Sequence, residues 1–331
     1  MTRIFDKNCR LCPRLATFLD EVAEKNPDYY CRPVPPFGDR NARLLIVGLA
    51  PGMHGANRTG RPFTGDYAGV LLYETLHKFG FASHAESLAA NDALTLLDCR
   101  ITNAVKCLPP DNKPVGAEVN ICNEFLANEL RTLPADSVVL AGNAYSRLEP
   151  KHLSNLVFPA RSYIIATEPL SDDVVAEINP RDVAVCDVNN VVDYYRLSAD
   201  KRMLYGGACN YSGRDPASIK SFILPRMLKV YPQLKDVRID YEWGGTIWVI
   251  LNRVIAAGRI NDNVYYSQGY SGHGVCATHV MGEIMADAVG GTMERYDLFA
   301  GLEHMRIPGT QWLGNQIIAL GMLFYKMKDR L

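Results

Sequence analysis

Residues 48–66 carry the densest chemistry in the chain: Gly-Leu-Ala-Pro-Gly-Met-His-Gly-Ala-Asn-Arg-Thr-Gly-Arg-Pro-Phe-Thr-Gly-Asp. The five glycines let main-chain N–H groups come close to a ligand. His54, Asn57, Arg58, Arg61, Phe63 and Asp66 add polar, cationic and stacking groups. A second concentration is in sulfur. Cys9-Arg-Leu-Cys12 is a close pair, and Cys107 and Cys122 form another across fourteen residues. Four thiolates at such spacing suit zinc or an iron–sulfur cluster, and spacing alone does not choose between them. Cys31 and Cys99 have no evident partner and read as structural.

Those groups need a scaffold. The apolar run 43–47, Arg-Leu-Leu-Ile-Val, reads as a buried parallel strand, and the glycine loop leaves its carboxyl end. Open α/β sheets build their sites there. Helices are expected at 13–25, 69–79 and 117–130, with strands at 44–47, 101–105 and 137–141. This alternation predicts a parallel sheet. From about Tyr145 the texture changes. Short β-like runs at 163–167, 183–186, 194–197, 203–206, 237–243, 247–251 and 264–268 are separated by turn signals such as Ala199-Asp200 and Asn261-Asp262. Only 216–230 and 274–289 read as substantial helices, so the second part is expected to be α+β with a mixed or antiparallel sheet.

Composition narrows the classes. The 331 residues suffice for two domains, and 35 basic against 36 acidic residues exclude a polyanion binder by net charge. No run of 18 apolar residues occurs, and the amino terminus lacks a signal-peptide core. Nine cysteines without such a signal argue against a disulfide framework. A cytoplasmic protein with no membrane partner is expected.

The first part resembles the iron–sulfur uracil-DNA glycosylases of families four and five. The segments that carry the likeness are Cys9-Arg-Leu-Cys12-Pro-Arg-Leu15, Arg32-Pro-Val-Pro-Pro-Phe-Gly-Asp39, residues 48–66, and Ile101-Thr-Asn-Ala-Val-Lys-Cys107-Leu-Pro-Pro-Asp-Asn-Lys-Pro114. The wording of the glycine loop favours family five. The resemblance implies a partial glycosylase sheet over residues 1–140, a DNA-repair hydrolase activity and uracil-containing DNA as partner. A 4Fe–4S cluster would sit on Cys9, Cys12, Cys107 and Cys122 in a structural role. Phe63 would stack on a flipped uracil, Asn103 would bond its edge, and Gly48 and Ala50 would line the pocket. Asp66 would hold water or stabilise the sugar cation, although it also suits a helix N-cap. His54 would stabilise the departing uracil anion. Leu49 stands where family four carries a glutamate. Nothing after Ala141 resembles the family's later His-containing loop, so weak or no glycosylase activity is expected.

Residues from about Asp136 onward resemble the carboxyl-terminal part of D-amino-acid-oxidase-like flavoproteins, of the gamma-glutamylputrescine oxidase type. The carrying segments are Val138-Val-Leu-Ala-Gly-Asn-Ala-Tyr145, Ala166-Thr-Glu-Pro169, Asp193-Tyr-Tyr-Arg-Leu-Ser198, Leu204-Tyr-Gly-Gly-Ala208, Met227-Leu-Lys-Val-Tyr-Pro232, Tyr241-Glu-Trp-Gly-Gly245 and 265–274. The resemblance implies FAD facing Gly245, Gly269, Ser271, Gly272, His273 and Gly274, with the last four at a helix N-terminus. Tyr194, Tyr211 and Trp243 would line a pocket for a small amine. The G-x-G-x-x-G fingerprint that binds the ADP part is not in the sequence, so a weak or partial FAD site is expected. The whole reads as a fusion of 1–140 with 141–331, each part incomplete. An FAD-dependent oxidoreductase alone, or a fusion product without catalysis, are the competing expectations.

Overall fold

The computed structural model describes residues 3–134, 137–142, 155–212 and 215–329. The chain divides into two compact units, Met1–Asp136 and Ser137–Leu331. Tyr145, where the texture was expected to change, lies outside the described residues.

The first unit begins with α1 (Pro13–Lys25), which Pro13 opens at the position where its missing N–H is harmless. Leu15, Ala16, Leu19 and Val22 form its buried stripe. Leu15, Leu19 and Val22 pack with Val105, Leu108 and Phe125 in one apolar cluster. Strands β1 (Phe37–Gly38), β2 (Leu44–Gly48) and β3 (Cys99–Asn103) form a sheet in the order β1-β3-β2. The short α2 (Ala56–Thr59) and α3 (Tyr67–Lys78) follow β2, and α4 (Gly116–Thr132) follows β3.

This sheet corrects the expectation of a purely parallel one. β2 and β3 are parallel, but β1 runs antiparallel to β3. Ile101 is flanked by Ile46 and Phe37, so β3 has a partner on each side. The strand expected to complete the sheet, β4 (Val138–Leu140), belongs instead to the second unit. There it pairs in parallel with β11 (Val264–Gln268), Val138 lying opposite Val264.

In the second unit, β5 (Phe158–Thr167), α5 (Asp172–Ile178), β6 (Val185–Cys186), β7 (Tyr194–Leu197), β8 (Met203–Asn210), α6 (Ile219–Val230) and β9 (Ile239–Val249) come next in the chain. Their five strands make an antiparallel sheet in the order β6-β7-β8-β5-β9. Alternate side chains leave on opposite faces. On one face Tyr163, Ile165, Met203 and Tyr205 pack with Ile223 and Met227 of α6. Both α6 residues are fully buried, each contributing about 1.5–3 kcal/mol. Strand β10 (Ala256–Asn261) pairs with β11, followed by α7 (Gly274–Val289), α8 (Glu294–Ala300) and α9 (Gln311–Lys328).

Two expectations fail here. The runs 237–243 and 247–251 are one strand, β9, because Gly244 lies flat against the Tyr163 ring and the ladder continues through it. Substantial helices were expected only at 216–230 and 274–289, yet α9 has 18 residues. No helix among the described residues is long and apolar enough to cross a membrane.

Candidate functional site

In the first unit, Gly48 ends β2 directly opposite Asn103, which ends β3. A Cβ on Gly48 would lie 2.5 Å from Asn103 Oδ1 and 2.8 Å from Phe63 Cζ. Only glycine therefore lets the amide and the ring meet at this strand end. Asn103 is 3% exposed, whereas the Phe63 ring is half-buried. Phe63 has φ +51°, a left-handed conformation that costs a non-glycine residue about 1–2 kcal/mol. Its neighbours hold it there: the Tyr73 hydroxyl donates to Pro62 O at 2.8 Å, and Thr64 Oγ1 meets Ser87 Oγ at 2.7 Å.

The remaining loop residues divide into holders and presenters. Arg58 donates from Nε to His54 O at 2.6 Å and from Nη2 to Gly65 O at 3.0 Å, clamping the two arms of the loop. Arg61, offered by the sequence as a cationic contact, is buried. It bonds Ser87, Asp92 and the Ala90 carbonyl, and its guanidinium lies 4.4 Å from the centre of the Phe37 ring. Asn57 is likewise buried, donating to Cys31 Sγ at 3.5 Å. His54 is exposed and meets the Tyr29 hydroxyl through Nδ1 at 2.8 Å. Tyr29 is a site residue that no sequence signal indicated, since it lies 25 positions upstream. Ala50 packs against the cysteine-bearing cluster, and Phe63 against the cluster around Tyr73.

Asp66 performs its capping role. Oδ1 accepts the Gly69 N–H at 3.1 Å at the start of α3. Oδ2 lies over Gly55, where any side chain would displace it. Asp66→Ala is expected to lower stability by about 1 kcal/mol, read as a shifted urea midpoint at unchanged slope. Asp66→Asn should restore the loss, because asparagine caps as well as aspartate. Equal losses in both variants would mean that the cap is not what Asp66 contributes.

Cys9, Cys12, Cys107 and Cys122 line one small cavity together with Lys106. Burial pushes the Cys12 thiol up to about 11 and the Cys107 thiol up to about 12, reinforced in each by the neighbouring thiols. Burial also raises Cys122, opposed by the main-chain N–H of Lys106. A zinc ion needs every sulfur about 2.3 Å from one centre. Among the described residues no three candidate ligands are so arranged. The four thiols nonetheless share one cavity and make an all-sulfur donor set.

In the second unit, Gly269, Ser271 and Gly272 take φ of +74°, +54° and +91° and turn the chain into α7. Ser271 is committed to the turn: its N–H donates to Trp248 O at 3.0 Å, and its Oγ accepts from Ile250 N–H at 3.2 Å. Gly272 and His273 are exposed, and no side chain among the described residues caps α7. The first N–H groups of this 16-residue helix therefore face outward with the positive end of its dipole. A Cβ on Gly272 would lie 3.5 Å from Ile247 Cδ1. Ile247 shares a β9 face with Trp243 and Gly245. Pairing carries that face across Trp243, Ile164, Gly206 and Tyr194 in one row. Trp243 is 44% exposed, and a Cβ on Gly245 would meet nothing within 4 Å. Tyr194 donates to or accepts from Ser162 Oγ at 2.7 Å. Tyr211, 7% exposed, lies instead in the core with Ala160 and Val249, against residues of α9.

A family model for FAD dependent oxidoreductases matches residues 84–288. The chain belongs to that family. As a member of the FAD dependent oxidoreductase family it is 43% identical over 199 residues to gamma-glutamylputrescine oxidoreductase of Escherichia coli strain K12, covering 60% of this chain and 46% of that protein. A separate segment is 49% identical over 138 residues to type-5 uracil-DNA glycosylase of Thermus thermophilus, covering 40% of this chain and 63% of that protein. Glycine oxidase from Geobacillus kaustophilus aligns in structure at 16% identity and a TM-score of 0.41, over 92% of this chain and 85% of that one. The chain spans about half the length of the oxidoreductase relative and under two thirds of the glycosylase. It thus joins two distinct kinships in different segments.

Proposed function

We propose that the first unit recognises uracil in DNA as a flipped base and hydrolyses its glycosidic bond slowly. The observation behind this reading is the meeting of Asn103 and Phe63 over Gly48. A flat ring supplies stacking on the uracil face, and a buried amide at the strand end supplies hydrogen bonds to its edge. As the N1–C1′ bond breaks, the electron pair leaves with uracil and positive charge grows on the sugar. Asp66 Oδ2, free of the helix cap, stabilises that charge and takes a proton from the water whose oxygen bonds to C1′, a proton that then passes through solvent to the released uracil anion. His54, oriented by Tyr29, donates toward the departing base. Cys9, Cys12, Cys107 and Cys122 would hold a 4Fe–4S cluster, which would tie the loop before α1 to α4 and the segment after β3.

Binding of a uracil-containing single-stranded oligonucleotide, compared with its thymine twin, tests this. Preferential uracil binding is expected, with slow uracil release that Asp66→Asn reduces about tenfold or more, since that variant keeps the cap and removes the charge. Equal binding of the twins would end the reading. Release at the rate of an ordinary glycosylase would overturn the expectation of slow turnover.

The open row from Tyr194 to Trp243 beside the bare α7 N-terminus favours a second reading for the second unit: oxidoreduction of a small amine. FAD, when bound, supplies the two-electron oxidation. The α7 N–H groups with Gly272 and His273 would face the electron-rich edge of its ring, while Trp243 and Tyr194 would flank the amine. Weak FAD uptake is expected on titration, and purified chain with one flavin per molecule would contradict it.

A further inference from the structure

A cleft of about 520 Å³ opens in the second unit between α6 and the β6-β7-β8 edge of the sheet. It lies on the α6 side, opposite the face that carries Trp243, and neither proposed activity uses it. Its volume falls in the range of small-molecule sites. The distribution of unused hydrogen-bonding capacity around it is uneven.

The carboxylates at its rim are committed to the protein. Asp187 Oδ1 accepts the N–H groups of Asn189 and Asp193 at 3.2 and 3.0 Å. Asp329 accepts those of Asn190 and Val191 at 3.0 and 3.1 Å, pinning the loop between β6 and β7. Asp193, 7% exposed, takes Arg226 Nε on both oxygens at 2.8 and 3.0 Å and the Tyr205 hydroxyl at 3.2 Å. The cations are committed only in part: Arg226 pairs with Asp193 and lies within electrostatic reach of Asp329, but it keeps donors unused. Arg226 uses only Nε, and its two Nη groups donate to nothing among the described residues. Lys229, three positions on and hence on the same helix face, makes no ion pair or hydrogen bond among them. The wall beneath is aromatic. Tyr195 and Tyr205 stack at 5.0 Å and 4°, and Phe222 precedes Arg226 by one turn.

We propose that this cleft binds a small aryl phosphate or a chemically similar aromatic dianion, with its charged head on Arg226 Nη and Lys229 Nζ and its ring against Tyr195 and Phe222. A guanidinium held at Nε presents its Nη pair as a fixed fork, which matches a phosphoryl group. Lys229 adds the second charge, and the aromatic wall selects a flat body over the bare ion.

Calorimetric titration of the full chain with phenyl phosphate, inorganic phosphate and benzylamine tests this. Phenyl phosphate is expected to bind at about 1 mM or tighter, inorganic phosphate about tenfold more weakly, and benzylamine not at all. Lys229→Gln, at an exposed position, should weaken phenyl phosphate about tenfold, and Arg226→Lys, which keeps a cation for Asp193, should do likewise. No phenyl phosphate binding, equal binding of benzylamine, or parental affinity in Lys229→Gln would each overturn the proposal. Should Arg226→Lys melt early, the Lys229→Gln titration decides alone.

Discussion

Gly48→Ala is expected to erase discrimination between uracil and thymine oligonucleotides, weakening uracil binding about a hundredfold, while the chain loses about 1–2 kcal/mol of stability and stays folded. The added carbon would sit 2.5 Å from Asn103 Oδ1 and 2.8 Å from Phe63 Cζ. Neither neighbour gives way cheaply. The ring belongs to a residue already in a left-handed conformation, and the amide is buried. One of them must leave its place by several tenths of an ångström, and positioned recognition falls steeply with such displacements. Stability should fall by less than affinity, because the about 0.4–1 kcal/mol that alanine recovers from glycine's entropic cost offsets part of the about 1–3 kcal/mol of overpacking. Oligonucleotide titration beside a urea melt separates the two effects. Loss of affinity with an equal loss of stability would make Gly48 a packing residue, and unchanged discrimination would remove the Asn103–Phe63 pair from uracil recognition.

That pair shows what residue order alone revealed of the site. Phe63 and Asn103 were identifiable by type and by position after strands, and the register of β2 on β3 brings them together over Gly48. The roles of Arg58 and Arg61 were not readable. Both read as available cationic groups in a glycine-rich loop, yet one is tied to two carbonyls and the other to Ser87, Asp92 and Ala90. Their partners lie up to 31 positions away and are set by loop closure, which no local pattern encodes. Tyr29 escaped notice for the same reason. The cysteines were easier, because a thiol has few roles and the C-x2-C spacing places both near the start of α1.

The fold divides along similar lines. α1 was readable to the residue because Pro13 marks its start and its apolar stripe has helical period. β4 was recognisable as a strand, but its partner β11 lies about 126 positions on, and only tertiary pairing decides such a register. β10 has a single β-branched residue, Ile260: Ala-Ala-Gly-Arg-Ile-Asn is held by pairing with β11 and by Tyr266 over Gly258. α9 failed differently. Gln311 to Tyr325 contains no charged residue, so there is no polar face to reveal the period. Only Thr310, whose side chain accepts the Leu313 N–H, marked its start.

Glu129→Ala is expected to cost about 3–5 kcal/mol. Glu129 reaches from α4 to two cations of the β3 region. Arg100 Nε donates to Oε1 at 2.6 Å and Lys106 Nζ to Oε2 at 3.4 Å. Lys106 is 2% exposed, and its remaining partner is Thr102 Oγ1. Removing the carboxylate leaves that ammonium buried with a hydroxyl alone. Burial already holds Lys106 below the ordinary lysine value of 10.5, with Glu129 opposing the shift. A lysine lowered in this way binds fewer protons folded than unfolded. Stability therefore rises with pH between the depressed value and the ordinary one. Without Glu129 the depression deepens and that window reaches closer to neutrality. The deficit of Glu129→Ala should thus be largest well below the ordinary lysine value of 10.5 and shrink as pH rises toward it. Replacing the pair together, Glu129→Leu with Lys106→Met, should recover much of the loss, because well-packed apolar groups often match a buried ion pair. Urea melts of the three chains at neutral pH and at pH approaching the ordinary lysine value of 10.5 measure this. A deficit that does not change with pH would show that Glu129 acts through packing or through Arg100, and a double variant no better than Glu129→Ala would show that the buried ammonium is not the source of the cost.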